Sequence, residues 1–176
     1  RYLDELTREL PEVDYFFGVK DFDRILRLFK TSQYRPWEET RIQSTPAHYA
    51  YLKISEGCDR TCAFCAIPAI RGKHISRKPE SLLREAEELA ARGVKELILV
   101  AQDLTYYGYD IAKKSLIASL VNDLSAISGL EWIRLHYAYP ARFPMDLTDV
   151  MAANSKVCKY LDMPVQHICL LYTSRR

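Results

Sequence analysis

The sequence lacks the features of several large protein classes. No apolar run approaches the roughly 20 residues that span a bilayer, and the charged start, RYLDELTREL, is not a signal peptide. A net charge of +2 is too small to indicate nucleic-acid binding. Neither a GxGxxG motif nor a P-loop is present, which argues against a dinucleotide-binding sheet. The chain does not begin with Met, so we expect it to begin inside a longer protein.

The composition itself is ordinary for a globular protein. The chain has 176 residues, of which 48% are hydrophobic and 27% charged, a length that fits one domain or parts of two. There are five cysteines, an odd number, and no export signal. This combination favours metal-binding or catalytic thiols over a disulfide framework. We therefore expect a reducing, cytoplasmic setting.

The pattern changes near residue 44. Residues 12–19 are typical of a short buried strand and residues 21–29 of a helix, whereas residues 30–48 lose all periodicity and carry two prolines. We therefore predict a domain boundary in this region. The predicted segments are an N-terminal remnant at 1–30, a linker at 31–43, a core at 44–167 and a tail at 168–176.

Strands alternate with helices beyond the linker. Apolar patterns predict strands at 48–55, 95–102, 131–139 and 159–166, and helices at 79–93, 115–129 and 144–155. This alternation indicates βαβ units, a parallel sheet and an α/β fold. In such sheets the chemistry lies in the loops after the strands. Without a glycine-rich phosphate loop, a full or partial barrel is favoured over a doubly wound sheet.

Three of the five cysteines lie within eight positions, in the loop after the first predicted strand: Cys58, Cys62 and Cys65. Thiolates are soft ligands for zinc, Cu(I) and iron–sulfur clusters. A closed zinc site uses four ligands, usually as two separated CxxC pairs, and the second pair is missing here. His74 could be a fourth ligand, although a lone His at this distance is more often at the surface. A zinc-binding interaction module is therefore the alternative from a different class.

An iron–sulfur cluster explains why there are three cysteines. Three thiolates on a four-iron cluster leave one iron without a protein ligand. That iron can chelate the amino and carboxylate groups of S-adenosylmethionine (SAM), and an electron from the cluster then releases a 5′-deoxyadenosyl radical. We expect Cys158, in or beside a strand, to be a small buried side chain, and Cys169, in the tail, to have no function.

The cysteine loop, with the aromatic Phe64 before its last cysteine, resembles the signature of the radical SAM superfamily. Four longer strings are similar to its methylthiotransferase branch: KISEGCDRTCAFCAIPAIRGKHISR, LVAQDLTYYGYD, IRLHYAYP and YLDMPVQH. They are most similar to the family that modifies an aspartate of ribosomal protein S twelve. The tRNA adenosine methylthiotransferases, the near alternative, usually carry a Gln-Asn-Val-Asn type string after the second strand. The resemblance covers about residues 10–167.

The resemblance implies a fold and an activity. The fold is a radical SAM (β/α) barrel, truncated after its fourth strand and preceded by the end of an α/β methylthiotransferase N-terminal domain. The activity is transfer of a methylthio group to the β-carbon of an aspartate of ribosomal protein S twelve, the implied partner. The implied cofactors are SAM and two 4Fe-4S clusters. The ligands of the second cluster and a C-terminal TRAM domain are missing here, so we expect the fragment alone to be inactive.

The resemblance also implies contacts to SAM. Phe64 would lie near the adenine. Gln102 and Asp103, at the end of the second strand, hold the position that often contacts the SAM amino group, although the usual Gly-Gly-Glu type motif is absent. Arg71 would bind the SAM carboxylate or shape the loop. Other residues could line the cavity or could simply pack within the protein. They are Tyr106, Tyr107, Tyr109, His136, Tyr137, Gln166 and His167.

Overall fold

A computed structural model describes residues 2–18, 21–29 and 42–164. The chain forms two compact units, Arg1–Ile42 and Gln43–Arg176. No helix among the described residues has the length and apolar character needed to cross a membrane.

Several predicted features fall on residues outside that description. They are most of the linker at 31–43, the tail at 168–176 with Cys169, and the candidate cavity residues Gln166 and His167.

The described residues of the first unit form two short helices, α1 (Leu3–Glu9) and α2 (Phe22–Leu28). Helix α2 confirms the helix predicted at 21–29, whereas α1 was not predicted. The buried strand predicted at 12–19 is wrong, because residues 12–18 form no strand and Tyr15 is 59% exposed. The apolar run has no neighbouring strand to pair with among the described residues of this unit, and a strand needs such a partner.

The second unit is built from parallel βα units. Its strands are β1 (Tyr49–Lys53), β2 (Ser55–Glu56), β3 (Ile75–Ser76), β4 (Glu96–Val100), β5 (Trp132–Leu135) and β6 (Val157–Leu161). Its helices are α3 (Ile67–Arg71), α4 (Pro79–Ala91), α5 (Tyr109–Ala112), α6 (Ile117–Ser125) and α7 (Met145–Ala153), with a 3-10 turn at Leu104–Tyr106. Strands β1, β4, β5 and β6 form one parallel sheet in that order. Because neighbours follow chain order, the sheet has the topology of consecutive barrel units rather than of a doubly wound sheet. The predicted α/β barrel-type fold is confirmed.

The long periodic elements lie close to their predicted positions. All four sheet strands and helices α4, α6 and α7 are present, and β6 begins two residues earlier than the predicted 159. Helix α4 begins with Pro79 at its first position and is followed by Gly93, whose φ of +96° suits the residue beyond a helix end.

One face of the sheet forms the core. Register pairs align the buried side chains of neighbouring strands, such as Leu52 with Leu99 and Leu99 with Leu135. All three are fully buried in a cluster with apolar side chains of the helices, including Leu82 of α4 and Leu120 of α6. This packing fixes the strands, so their carboxyl ends meet at one edge of the sheet.

Candidate functional site

The cysteine loop begins directly after β1 and is closed at its base. Strands β2 and β3 pair antiparallel, with Ser55 opposite Ser76. The backbone N–H of Cys58 donates to the Gly72 carbonyl at 3.1 Å. Gly57 has a φ of +78°, and a Cβ there would lie 2.2 Å from the Lys73 carbonyl oxygen. The two ends of the loop therefore approach so closely that only glycine fits at residue 57.

The three cysteines of this loop line one cavity. Cys58 is buried, whereas Cys62 and Cys65 are half-buried. The cavity has a volume of about 420 Å³, and its lining comes from the loops that follow all four strands of the sheet. It consists of Cys58, Arg60, Cys62, Phe64, Cys65, Ile67, Ala101, Gln102, Asp103, Tyr137, Tyr139 and Pro164. Burial raises the pKa of the Cys58 thiol, although a 3.4 Å hydrogen bond from the Arg60 backbone N–H opposes the shift.

The donor set at the cavity is three thiols, which suits an iron–sulfur cluster because thiolates are the usual protein ligands of such clusters. Among the described residues, no group of His, Cys, Asp and Glu side chains converges on a single metal ion. A cluster binds each thiolate on a separate iron atom, so its ligands need not converge on one point. His74 does not line the cavity. The expectation that His74 lies at the surface is wrong, because it is only 4% exposed and its Nε2 is 3.1 Å from Ser76 Oγ.

An ion pair between a buried carboxylate and a partly buried arginine lies in the cavity wall. Asp103 is 1% exposed, and its Oδ2 accepts a hydrogen bond of 2.7 Å from Arg60 Nε. Its Oδ1 accepts from the backbone N–H and the hydroxyl of Thr105, at 3.0 and 2.6 Å. Both carboxylate oxygens of Asp103, a predicted SAM contact, are therefore engaged within the protein.

The guanidinium of Arg60 lies between two aromatic rings. Its Cζ is 4.5 Å from the ring centre of Tyr139 and 5.4 Å from that of Tyr106. Sequence reasoning missed Arg60 and Tyr139 as site residues. The sequence does show that Arg60 is a cation in the cysteine loop and that Tyr139 is an aromatic residue near a strand end. It does not show that these two side chains are in contact.

The other predicted SAM contacts differ in position. Phe64 lines the cavity and is 77% exposed. Gln102 also lines it, and its buried Oε1 has no hydrogen-bond partner. Arg71 does not line the cavity, and its Nη1 is 3.7 Å from Glu56 Oε1. Burial alone would raise the pKa of Glu56, but Lys53, the Gly57 N–H and Arg71 together lower it.

The remaining candidate cavity residues are mostly packing residues. Tyr107 is fully buried, and its hydroxyl donates to the Arg77 carbonyl at 2.9 Å. The rings of Tyr106 and Tyr109 stack at 4.8 Å. Neither these three tyrosines nor His136 belongs to the cavity lining.

Tyr137 does line the cavity and has a φ of +65°, a strained conformation for an aromatic residue. Cys158, which we expected to be buried, is half-buried in β6 and takes no part in the lining.

Comparison with known proteins agrees with this geometry. Residues 52–169 match the family described as the Radical SAM superfamily. The ribosomal protein uS12 methylthiotransferase RimO of Cytophaga hutchinsonii is 54% identical over 167 residues, which cover 95% of this chain and 38% of that protein. The RimO of Bacteroides thetaiotaomicron is 51% identical over 168 residues, covering 96% and 38%. The chain therefore spans about two fifths of the length of these curated relatives. The predicted resemblance to this group is confirmed.

Solved structures support the fold. The radical SAM methyltransferase TsrM of Kitasatospora setae, with cobalamin and a [4Fe-4S] cluster bound, has a TM-score of 0.54 and 21% identity, covering 70% of this chain and 23% of that one. Its complex with tryptophan and a SAM analogue has a TM-score of 0.55 and 19% identity, covering 74% and 26%. At these identities the likeness concerns the fold alone. A family match over more than half of the chain, together with a parallel sheet that carries three cysteines at its carboxyl edge, shows that this chain belongs to the radical SAM superfamily.

Proposed function

We propose that this chain is the cluster-binding central part of a methylthiotransferase that modifies an aspartate of ribosomal protein uS12. The observation that carries the proposal is the closed loop that brings Cys58, Cys62 and Cys65 to one cavity at the carboxyl edge of the sheet. The choice of substrate is supported by identities of 51–54% to RimO proteins. A ribosomal substrate also agrees with the predicted cytoplasmic location.

The three cysteines would hold a 4Fe-4S cluster and leave one iron open to SAM. When bound, the cluster and SAM together supply a 5′-deoxyadenosyl radical, which can remove hydrogen from an unactivated carbon. The protein's own contribution is to hold three sulfurs in a cavity whose lining is mainly apolar and aromatic.

Two of the four predicted SAM contacts suit direct binding. The exposed ring of Phe64 at the cavity offers a stacking surface for a nucleobase. Gln102 also lines the cavity, and its Oε1 is an acceptor without a hydrogen-bond partner in the protein. Arg71 and Asp103 are bound to Glu56 and Arg60, and we assign them to shaping the loop.

The remaining steps belong to the longer protein. The chain has five cysteines, of which three are in this loop. By the family resemblance, the second cluster, which handles sulfur, has its ligands in the N-terminal domain. We therefore expect methylthiolation by the full-length protein and none by residues 1–176 alone.

Mass spectrometry of cells lacking the full-length gene tests the substrate. Ribosomal protein uS12 and total tRNA nucleosides are compared before and after the gene is restored, with a Cys58→Ala gene as the control. We expect a methylthio mass gain on one uS12 aspartate that returns with the intact gene only. A gain on a tRNA adenosine instead would overturn the proposed substrate, and no gain on either would overturn the activity.

A further inference from the structure

The cysteine loop contains a positively charged residue, Arg60, midway between Cys58 and Cys62 in the sequence. The backbone N–H of Arg60 donates to Cys58 Sγ at 3.4 Å. Only one residue separates Arg60 from Cys58 on one side and from Cys62 on the other, so the backbone at Arg60 lies close to both cysteines.

The Arg60 side chain links the loop to the neighbouring strand ends. Its Nε donates to Asp103, which follows β4, and its Nη2 donates to the Ala141 carbonyl at 3.4 Å, beyond β5. Tyr139, also beyond β5, lies under the guanidinium plane. A planar guanidinium can form an ion pair at its edge and stack on an aromatic ring at its face. The ammonium group of a lysine cannot make both contacts in this way.

The partners of Arg60 are themselves fixed. Asp103 is held by two hydrogen bonds from Thr105. Tyr139 is hydrogen-bonded to the Cys62 side chain. Arg60 and Tyr139 together therefore contact two of the three sulfurs, those of Cys58 and Cys62.

We propose that Arg60 is a positioning residue that holds Cys58 and Cys62 in place for an iron–sulfur cluster, with Asp103 and Tyr139 as its anchors. Its role is to shape the loop before the cluster binds, and it acts through the cysteines. This inference rests on the proposed function, since it requires that the three cysteines bind a cluster. Partners that orient metal ligands typically change metal affinity by about 10–100-fold when they are mutated.

Cluster loss to an iron chelator tests this role without an activity assay. The chain is reconstituted with iron and sulfide under anaerobic conditions, and the visible absorption of the cluster is followed after the chelator is added. We expect Arg60→Gln to lose its cluster about 10–100-fold faster than the wild type. The matched control is Arg134→Gln, which breaks a 2.6 Å ion pair to Glu96 at the first residue of β4, away from the cysteine edge. Equal rates in the two variants would overturn the proposal.

The Asp103→Asn variant extends the test. It removes the charge that orients Arg60, so it should also accelerate cluster loss, and the double variant should lose its cluster no faster than Arg60→Gln alone. Additive effects would overturn the proposal. If Arg60→Gln does not fold, Asp103→Asn against the Arg134→Gln control gives the same test. A wild-type chain that takes up no iron would refute the proposed function, whereas a stable cluster in every variant would refute only this inference.

Discussion

Three sulfur atoms carry the proposed chemistry, and single substitutions distinguish them from the fourth described cysteine. Alanine at Cys58, Cys62 or Cys65 should each abolish binding of an intact 4Fe-4S cluster, because each removes one of only three protein ligands. Cys158→Ala should retain the cluster, because Cys158 takes no part in the cavity lining. Iron and sulfide content with visible absorption measures the result. Full clusters in all three loop variants would refute the ligand assignment.

A glycine at the base of the loop gives a second test at this scale. Gly57→Ala places a Cβ 2.2 Å from the Lys73 carbonyl oxygen, at a φ of +78°. Gly93→Ala is the matched control, because its φ is +96° but no atom lies within 4 Å of the added Cβ. We expect the control to lower the free energy of unfolding by about 1–2 kcal/mol, and Gly57→Ala to lower it by more. Equal losses in urea denaturation would show that the loop ends are not in close contact.

Sequence predicted the residues whose signal is local. The three cysteines stand out by their spacing, and Phe64 was singled out through the family resemblance. Arg60 could not be predicted as a site residue, because its partner Asp103 is 43 positions away and meets it only through the fold. For the same reason, Asp103 was interpreted as a SAM contact rather than as the anchor of an arginine.

At the scale of elements, β3 is joined to α5 by hydrogen bonds between the buried Ser76 and the exposed Asp110. Ser76 Oγ donates to Asp110 Oδ1 at 2.6 Å and lies 3.1 Å from His74 Nε2. Burial lowers the pKa of His74 below its ordinary value, although Asp110, Asp103 and Asp59 oppose this shift. The folded state therefore favours the neutral imidazole.

This shift predicts a pH dependence of stability. The unfolded chain binds a proton on His74 more readily than the folded chain, so the contribution of His74 is complete above the ordinary pKa of about 6.5. It is lost as pH falls from there through the lower pKa of the folded state. Thermal unfolding from pH 8 to pH 5 should show a smaller acid-side loss in His74→Gln than in the wild type. His48→Gln, at an exposed position, should behave like the wild type. An unchanged pH profile in His74→Gln would contradict the assignment.

Elements were predictable in proportion to their length and periodicity. Helix α4 has 13 residues and was predicted almost to its ends. Helices α3 and α5, with five and four residues, are too short to show a helical period and were missed. The strand predicted at 12–19 failed because its apolar residues gave no information about a pairing partner.

At the scale of the whole molecule, the order of the strands in the sheet determines where the candidate site lies. Strands β1, β4, β5 and β6 lie side by side in chain order, so the loops that follow them converge on one cavity. Alternating strands and helices predicted a parallel sheet, and this is confirmed; the cysteine loop lies at the carboxyl edge of that sheet. The pattern could not predict which loop residues meet there, because that depends on register and twist.

The most direct measurement of the central claim is the electron paramagnetic resonance spectrum of the reduced, reconstituted protein with and without SAM. An iron atom that no cysteine binds should accept SAM as a ligand, so we expect the cluster signal to change when SAM is added. A cluster signal that SAM leaves unchanged, or a protein that binds one zinc ion and no iron, would contradict the claim that three cysteines hold a cluster with one open iron.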